Sequence, residues 1–185
     1  EVQIKNIFAY RFFSHRTKGE GFFLSTMRKT ERTESLRLKS KTSIATPLKK
    51  IQERLHDWIL APATFFQFND LIFYTPALKA KEFEFLLQNL KIMYAGTNLA
   101  ALKHEKLIPD HALALSVELN KESFSTVEVA EADALKYLRK DTIQINGAPP
   151  GFTLLTFKNT PIGWVNVLSN RVNNRYPADW RIRKL

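Results

Sequence analysis

The stretch "GFTLLTFKNTPIGWVNVL", residues 151–168, constrains the fold more than any other part of this sequence. Its first half alternates around Phe152, Leu154 and Thr156, "NTP" supplies a turn, and "IGWVNVL" follows as a second strand. Alternation with a period of two buries one face of each strand, and a short polar connection forces antiparallel pairing. A lone hairpin is marginal in water, so other elements must cover it. With the mixed strand and loop of "NRVNNRYPADWRIRKL", the pattern predicts a small terminal barrel.

Upstream, "EVQIKNIFAYRFF" and "GFFLSTMRK" predict two strands joined by "SHRTKGE", where Gly19 and Gly21 allow a tight connection. Residues 30–45 carry many cations and few large apolar groups, and read as a linker. Thr46 as N-cap and Pro47 at the first helical position predict a helix with Leu48, Ile51, Leu55, Trp58 and Ile59 on one face. Two strands follow around Asn69-Asp70, then a helix opened by Thr75-Pro76 with Phe83, Leu86, Leu87 and Leu90 as its apolar stripe. "LKIMYAG" reads as a strand, "HALALSVEL" as a helix behind Pro109-Asp110, "FSTVEV" as a strand, and "EADALKYLRK" as a helix with Leu135 and Leu138 inward. The chain is α+β: a terminal hairpin (1–30), a basic linker (31–45), a mixed middle subdomain (46–134) and a terminal β domain (135–185).

The formal net charge of +10 is unevenly spread over the 185 residues. Residues 1–58 carry +7, residues 59–134 carry −4 and residues 135–185 carry +7. Two basic ends around an acidic middle favour a polyanionic partner, and nucleic acid above others. No apolar run approaches the length of a membrane span, so no membrane partner is expected. The sequence has no cysteine, which excludes disulfides, thiolate nucleophiles and thiolate metal sites within it. "GEG" is too short for a phosphate-cradling loop, and His15, His56, His104 and His111 share no metal-ligand spacing. His56 reads as a solvated histidine and His111 as a capping or packing one. The sequence therefore offers no catalytic site and no metal site.

The terminal segment is more informative. Arg171, Arg175, Arg181 and Arg183 are interleaved with Asn170, Asn173, Asn174, Tyr176 and Trp180, and Lys158 joins this set. Arginines fork onto phosphate oxygens, asparagines read base edges and aromatic rings stack on unpaired bases. These ten residues are the candidate RNA-binding set. The competing reading packs Tyr176 and Trp180 into the core and leaves the arginines solvated.

Two stretches carry a resemblance. "YRFFSHRTKGEGFFLSTMRK" (10–29) resembles the end of the catalytic domain of the Nol/Nop/Sun family of RNA 5-methylcytosine methyltransferases. "GFTLLTFKNTPIGWVNVLSNRVNNRYPADWRIRK" (151–184) is similar to the PUA-like RNA-binding domain that closes many bacterial members. "IPDHALALS" and "ALKYLRKDTI" resemble the connecting region, and Ser14 stands where the family usually has proline. The resemblance implies a C-terminal region of such an enzyme: a hairpin left from a Rossmann-like methyltransferase domain, then a middle subdomain and a PUA-like β-barrel. It implies RNA, ribosomal RNA in particular, as partner, and a cytoplasmic location. It further implies a separate N-terminal catalytic domain that holds S-adenosylmethionine and the two cysteines of the family's chemistry. In that full enzyme His15, Lys18 and Glu20 would border the catalytic cleft. The hairpin's uncovered faces would fray or pair with a second copy or another part of the chain. The other reading, of a different class, is a stand-alone PUA-like RNA-binding adaptor or interaction protein.

Overall fold

The computed structural model describes residues 2–4, 7–13, 15–16, 21–26, 45–92 and 94–183. The predicted linker at 31–45 lies outside them except for Ala45, as do Gly19, Lys18 and Glu20. The chain divides into two compact units, Glu1–Leu38 and Lys39–Leu185.

In the first unit the predicted hairpin is a three-stranded meander of β1 (Val2–Ile4), β2 (Ile7–Phe12) and β3 (Phe22–Ser25). The run read as one strand thus divides into two antiparallel ones, with Val2 opposite Ala9 and Ile4 opposite Ile7. Phe12 faces Phe22 and Tyr10 faces Leu24 across β2 and β3, so alternation collects Phe8, Tyr10, Phe12, Phe22 and Leu24 on one face. Phe12 and Phe22 stack at 4.2 Å, while Phe8, Tyr10, Phe22 and Phe23 are each half exposed or more.

The second unit begins with α1 (Lys49–His56). The helix starts two residues later than a Thr46 cap would set it, and no side chain caps it. Instead the Leu48 carbonyl accepts from the Ile51 and Gln52 amides, and the Gln52 side chain donates to Pro47 O at 2.7 Å. Ile51, Leu55 and Ile59 are buried as their spacing requires, whereas Leu48 is exposed. Strands β4 (Ala63–Phe68) and β5 (Leu71–Pro76) pair around Asn69-Asp70, with Asn69 at φ 51. β5 runs through Pro76, so α2 (Ala80–Asn89) begins after a 3-10 turn and not at Thr75.

The described residues of "LKIMYAG", 90–92 and 94–96, are irregular and form no strand. Gly96, at φ +63, lies so close under the Tyr74 carbonyl that a side chain would collide with it. The strand begins one residue later, as β6 (Thr97–Lys103), and returns as β7 (Lys106–Pro109) to complete an antiparallel sheet in the order β4-β5-β6-β7. The helix expected through "HALALSVEL" shortens to one turn, α3 (His111–Ala114), capped by Asp110, whose carboxylate accepts from the Ala112 amide. One face of this sheet buries Phe65, Ile72, Tyr74 and Leu99 against Leu55, Ile59 and Leu113. On the other face Phe66 and Phe73 meet Phe83 of α2.

The remaining elements are β8 (Ser125–Glu128), α4 (Glu131–Arg139), β9 (Gly151–Phe157), β10 (Thr160–Val167) and β11 (Val172–Asn174). β8 and β9 are parallel neighbours joined across α4, and the predicted hairpin β9-β10 is antiparallel. Its turn is Lys158-Asn159, one residue before the expected "NTP". The barrel expected here is an open sheet among the described residues, ordered β11-β10-β9-β8. Each face of it enters a different core. Leu155, Val165 and Val167 pack against Tyr137 and Ile143, while Leu154 and Trp164 join the core of the first sheet. Ala134 and Tyr137 are the buried residues of α4, and Leu135 and Leu138 are only half-buried.

No helix among the described residues is long and apolar enough to cross a membrane.

Candidate nucleic-acid interface

The C-terminus of α4 organises the interface. Glu131 and Asp133 lie in its first turn and Lys136 and Arg139 in its last, a distribution that complements the helix dipole. The helix stops at Lys140, which takes the left-handed conformation at φ 65. The Asp141 amide then closes back on the Lys136 carbonyl at 2.9 Å. A helix end leaves carbonyls without intrahelical partners, and the terminal segment supplies donors for them. The Asn174 amide donates to Tyr137 O at 2.9 Å and to Asp141 O at 3.1 Å. The Ile182 amide donates to Leu138 O at 3.0 Å. In return Lys140 Nζ donates to Tyr176 O at 2.5 Å, and Asn174 Oδ1 accepts from the Tyr176 amide at 2.9 Å. Residues 174–182 are thus bound to α4 at both ends, with Arg175 and Arg181 exposed.

The ten predicted residues divide by role. Arg171, Arg175, Arg181 and Arg183 are exposed, and none forms an ion pair among the described residues. Asn170 is exposed beside Arg171 in the turn between β10 and β11, and Asn173 is half-buried opposite Asn166. Asn174 has spent both donors on the helix end and acts as a cap, not as a reader of bases. Tyr176 is half-buried, with its ring edge-on to Tyr137 at 5.3 Å and to His111 at 5.1 Å. Trp180 is 59 % exposed and touches His111 edge-to-face at 5.4 Å. Most of the indole remains open to solvent.

Beneath these rings lies a support that the sequence did not reveal as a group. His111 packs under Tyr176 and Trp180, and its Nδ1 is buried without a hydrogen-bond partner among the described residues. Burial pushes its pKa below the ordinary histidine value, against a smaller upward pull from Asp110. The Tyr137 hydroxyl donates to Trp164 O at 3.2 Å, and burial raises its pKa. Trp164 Nε1 in turn donates to Asp110 O at 2.8 Å, which satisfies the indole in the core. Gly163, at φ +142, leaves the space for the Tyr137 hydroxyl and the His111 ring. The glycine is legible in the sequence, but its neighbours come from two other elements.

Lys158 stands in the β9-β10 turn, where both Lys158 (φ 49) and Asn159 (φ 61) are left-handed. Glu128 fixes this turn from β8: it accepts from the Thr156 hydroxyl at 2.5 Å and from the Asn159 amide at 3.3 Å. Those hydrogen bonds hold its carboxyl below its usual pKa, the Thr156 bond most of all. Lys121 Nζ donates to Asn159 O at 3.0 Å from the other side. Lys158 itself is exposed, with its ammonium 5.2 Å from the Phe157 ring centroid.

His15 belongs to the other unit, exposed, with its ring 5.5 Å from Phe13. Lys18 and Glu20 lie outside the described residues. His56 is exposed and edge-on to Phe65 at 4.7 Å. No group of three His, Asp or Glu side chains suited to a metal ion occurs among the described residues.

Residues 124–182 match the family model described as the methyltransferase RsmF PUA domain. The matched region begins at Phe124, just ahead of β8, and ends at Ile182, the residue that closes on α4. It therefore contains nine of the ten predicted residues, all except Arg183. Among curated proteins none matches the chain. Over residues 124–182 the chain is thus similar to the PUA domain of a methyltransferase.

Proposed function

We propose that this chain is the RNA-holding region of an S-adenosylmethionine-dependent RNA cytosine 5-methyltransferase, and that it positions structured ribosomal RNA in the cytoplasm. Methyl transfer itself belongs to a separate catalytic domain carrying the cysteines that this sequence lacks. The observation that carries the reading is the set of guanidinium groups of Arg171, Arg175 and Arg181, with Arg183 just beyond, exposed and without an ion pair among the described residues along a segment that matches a PUA domain. Guanidinium forks bind phosphate oxygens in two-point contacts, and phosphate contacts set the register of an RNA without reading its sequence. A segment bound to α4 at Asn174 and Ile182 loses little freedom when it binds, which favours affinity. Trp180 adds an open ring face for one base.

Gel-shift titrations of the chain with structured ribosomal RNA fragments, and with unstructured RNA of equal length, test this reading. Tighter binding of the structured fragments is the expected result. Calorimetric titration with S-adenosylmethionine is expected to give no binding heat, and a methylation assay no transfer to cytosine. Failure to bind RNA, or cofactor-dependent transfer by this chain alone, would overturn the proposal.

A further inference from the structure

After α4 the chain runs through residues 142–146 without regular secondary structure, yet it alternates as a strand would. Ile143 is buried and Ile145 half-buried, while Thr142, Gln144 and Asn146 are exposed. Ile143 and Ile145 pack into the core formed by Leu155, Val165 and Val167, which fixes the three polar side chains on the outer side. There they border a cavity of about 360 Å³ whose far wall is the β10-β11 turn, with Ser169, Asn170 and Arg171. The same three residues border a second cavity of about 530 Å³, closed on its other side by Asp133 and Lys136 of α4.

We propose that the first cavity is a base-reading subsite, in which the side-chain amides of Gln144, Asn146 and Asn170 select a single unpaired nucleobase of a bound RNA. The inference rests on the RNA-binding reading above and assigns a second task within it.

The state of the amides is the first reason. Gln144, Asn146 and Asn170 make no side-chain hydrogen bond among the described residues. Asn174, Asn120 and Gln52 are engaged by backbone partners and are structural. An amide presents one donor and one acceptor side by side, the pattern found along the edge of a base. Phosphate has no donor to offer an amide carbonyl, so a cluster of unengaged amides suits a base edge better than a phosphate.

Charge and shape agree with this. Lys136 on the neighbouring wall is paired with Asp133 at 2.9 Å, which leaves Arg171 as the one unpaired cation bordering the cavity among the described residues. The surface formed by Arg175, Arg181 and Arg183 is different in kind, with charge but few free amides. Ile143, Ile145, Val167 and Val172 give the cavity an apolar floor on which a base can rest. Unpaired bases are the part of RNA whose edges a protein can reach in this way.

The test is a competition-binding measurement of the whole chain with short oligo-A, oligo-C and oligo-U at several salt concentrations. The unsubstituted chain is expected to favour one of the three by about tenfold, the size of one good two-point amide contact. The double variant Gln144→Ala, Asn146→Ala is expected to bind all three within about twofold of each other, with an unchanged salt slope. Both residues are exposed, so the variant is expected to stay folded, which a thermal melt checks. Binding without base preference in the unsubstituted chain, or a preference that survives in the variant, overturns the subsite while leaving RNA binding intact. Loss of salt slope instead of preference shows phosphate contacts and also overturns it. No binding to any RNA removes the underlying reading and the subsite together.

Discussion

Asn174 caps a helix to which it does not belong. Its amide group donates to the carbonyl of Tyr137 at 2.9 Å and to that of Asp141 at 3.1 Å, and so closes the C-terminus of α4 from β11. In the sequence Asn173 and Asn174 are equivalent candidates for reading bases. In the structure strand alternation separates them. Asn173 faces away with Asn166, and Asn174, opposite Val165, turns toward α4. The cap also joins the helix to the arginine-bearing segment, so a structural hydrogen bond controls the geometry of the interface.

Asn174→Ala is expected to lower stability by about 2 kcal/mol, because it leaves the Asp141 carbonyl and the Tyr176 amide without their partner and takes one of two donors from the Tyr137 carbonyl. Asn174→Asp is expected to be at least as harmful, since a carboxylate replaces two donors with acceptors that face carbonyl oxygens. Urea unfolding midpoints check both. Hydrogen exchange at residues 175–182 should accelerate in each variant before global unfolding does.

Gly163→Ala is expected to destabilise by about 2 kcal/mol or more, because the added carbon meets the Tyr137 hydroxyl and the His111 ring at a left-handed φ. Tyr137→Phe removes the hydroxyl and its bond to Trp164 O, at a cost of about 1 kcal/mol alone. Combined, the two should cost less than their sum, with a coupling of about 1 kcal/mol. Strict additivity in denaturant melts would show that the glycine serves another purpose.

The readable parts of this fold were those governed by local pattern. The Asn69-Asp70 turn, the β9-β10 hairpin and the Ile51-Leu55-Ile59 face each follow from a few adjacent residues. The β6-β7 hairpin is not legible in the sequence because its turn is His104-Glu105, which takes φ 45 and φ 63 without the usual Asn-Gly signal. "LKIMYAG" has strand composition, but its glycine is held beneath Tyr74 by a contact from another strand. At the interface the exposed arginines were legible as charge. The Tyr137, His111 and Gly163 group was not, because its members are far apart in sequence and meet only when α4, α3 and β10 pack.

His111 makes stability depend on pH. Its folded pKa lies below the unfolded value of about 6.5, so the unfolded chain takes up a proton more readily. The stability contributed by the neutral ring is complete above that unfolded value. It is lost as pH falls from there through the folded pKa. Unfolding midpoints measured between pH 7.5 and pH 5 should therefore decline toward acid. His111→Phe should flatten the decline. An equal decline in the His111→Phe variant would assign the effect to other groups.

Trp180 and the arginines should separate by salt. If Arg171, Arg175, Arg181 and Arg183 each touch a phosphate, the log of affinity should fall with log salt at a slope on the order of −3 for single-stranded RNA. Replacing any one of them with Ala should flatten the slope by about 0.7 and weaken all RNAs alike. Trp180 acts through its ring face, so Trp180→Ala should leave the slope unchanged while costing roughly 1–3 kcal/mol of affinity. With 59 % of the residue already in solvent, the same substitution should cost less than about 1 kcal/mol of stability, well short of a core tryptophan. Its edge contact with His111 is the packing it would lose. Salt-series titrations run beside thermal melts of each variant read both quantities. A large fall in melting temperature for Trp180→Ala would place the ring in the core, and unchanged affinity in a folded variant lacking all four arginines would remove this surface from RNA binding.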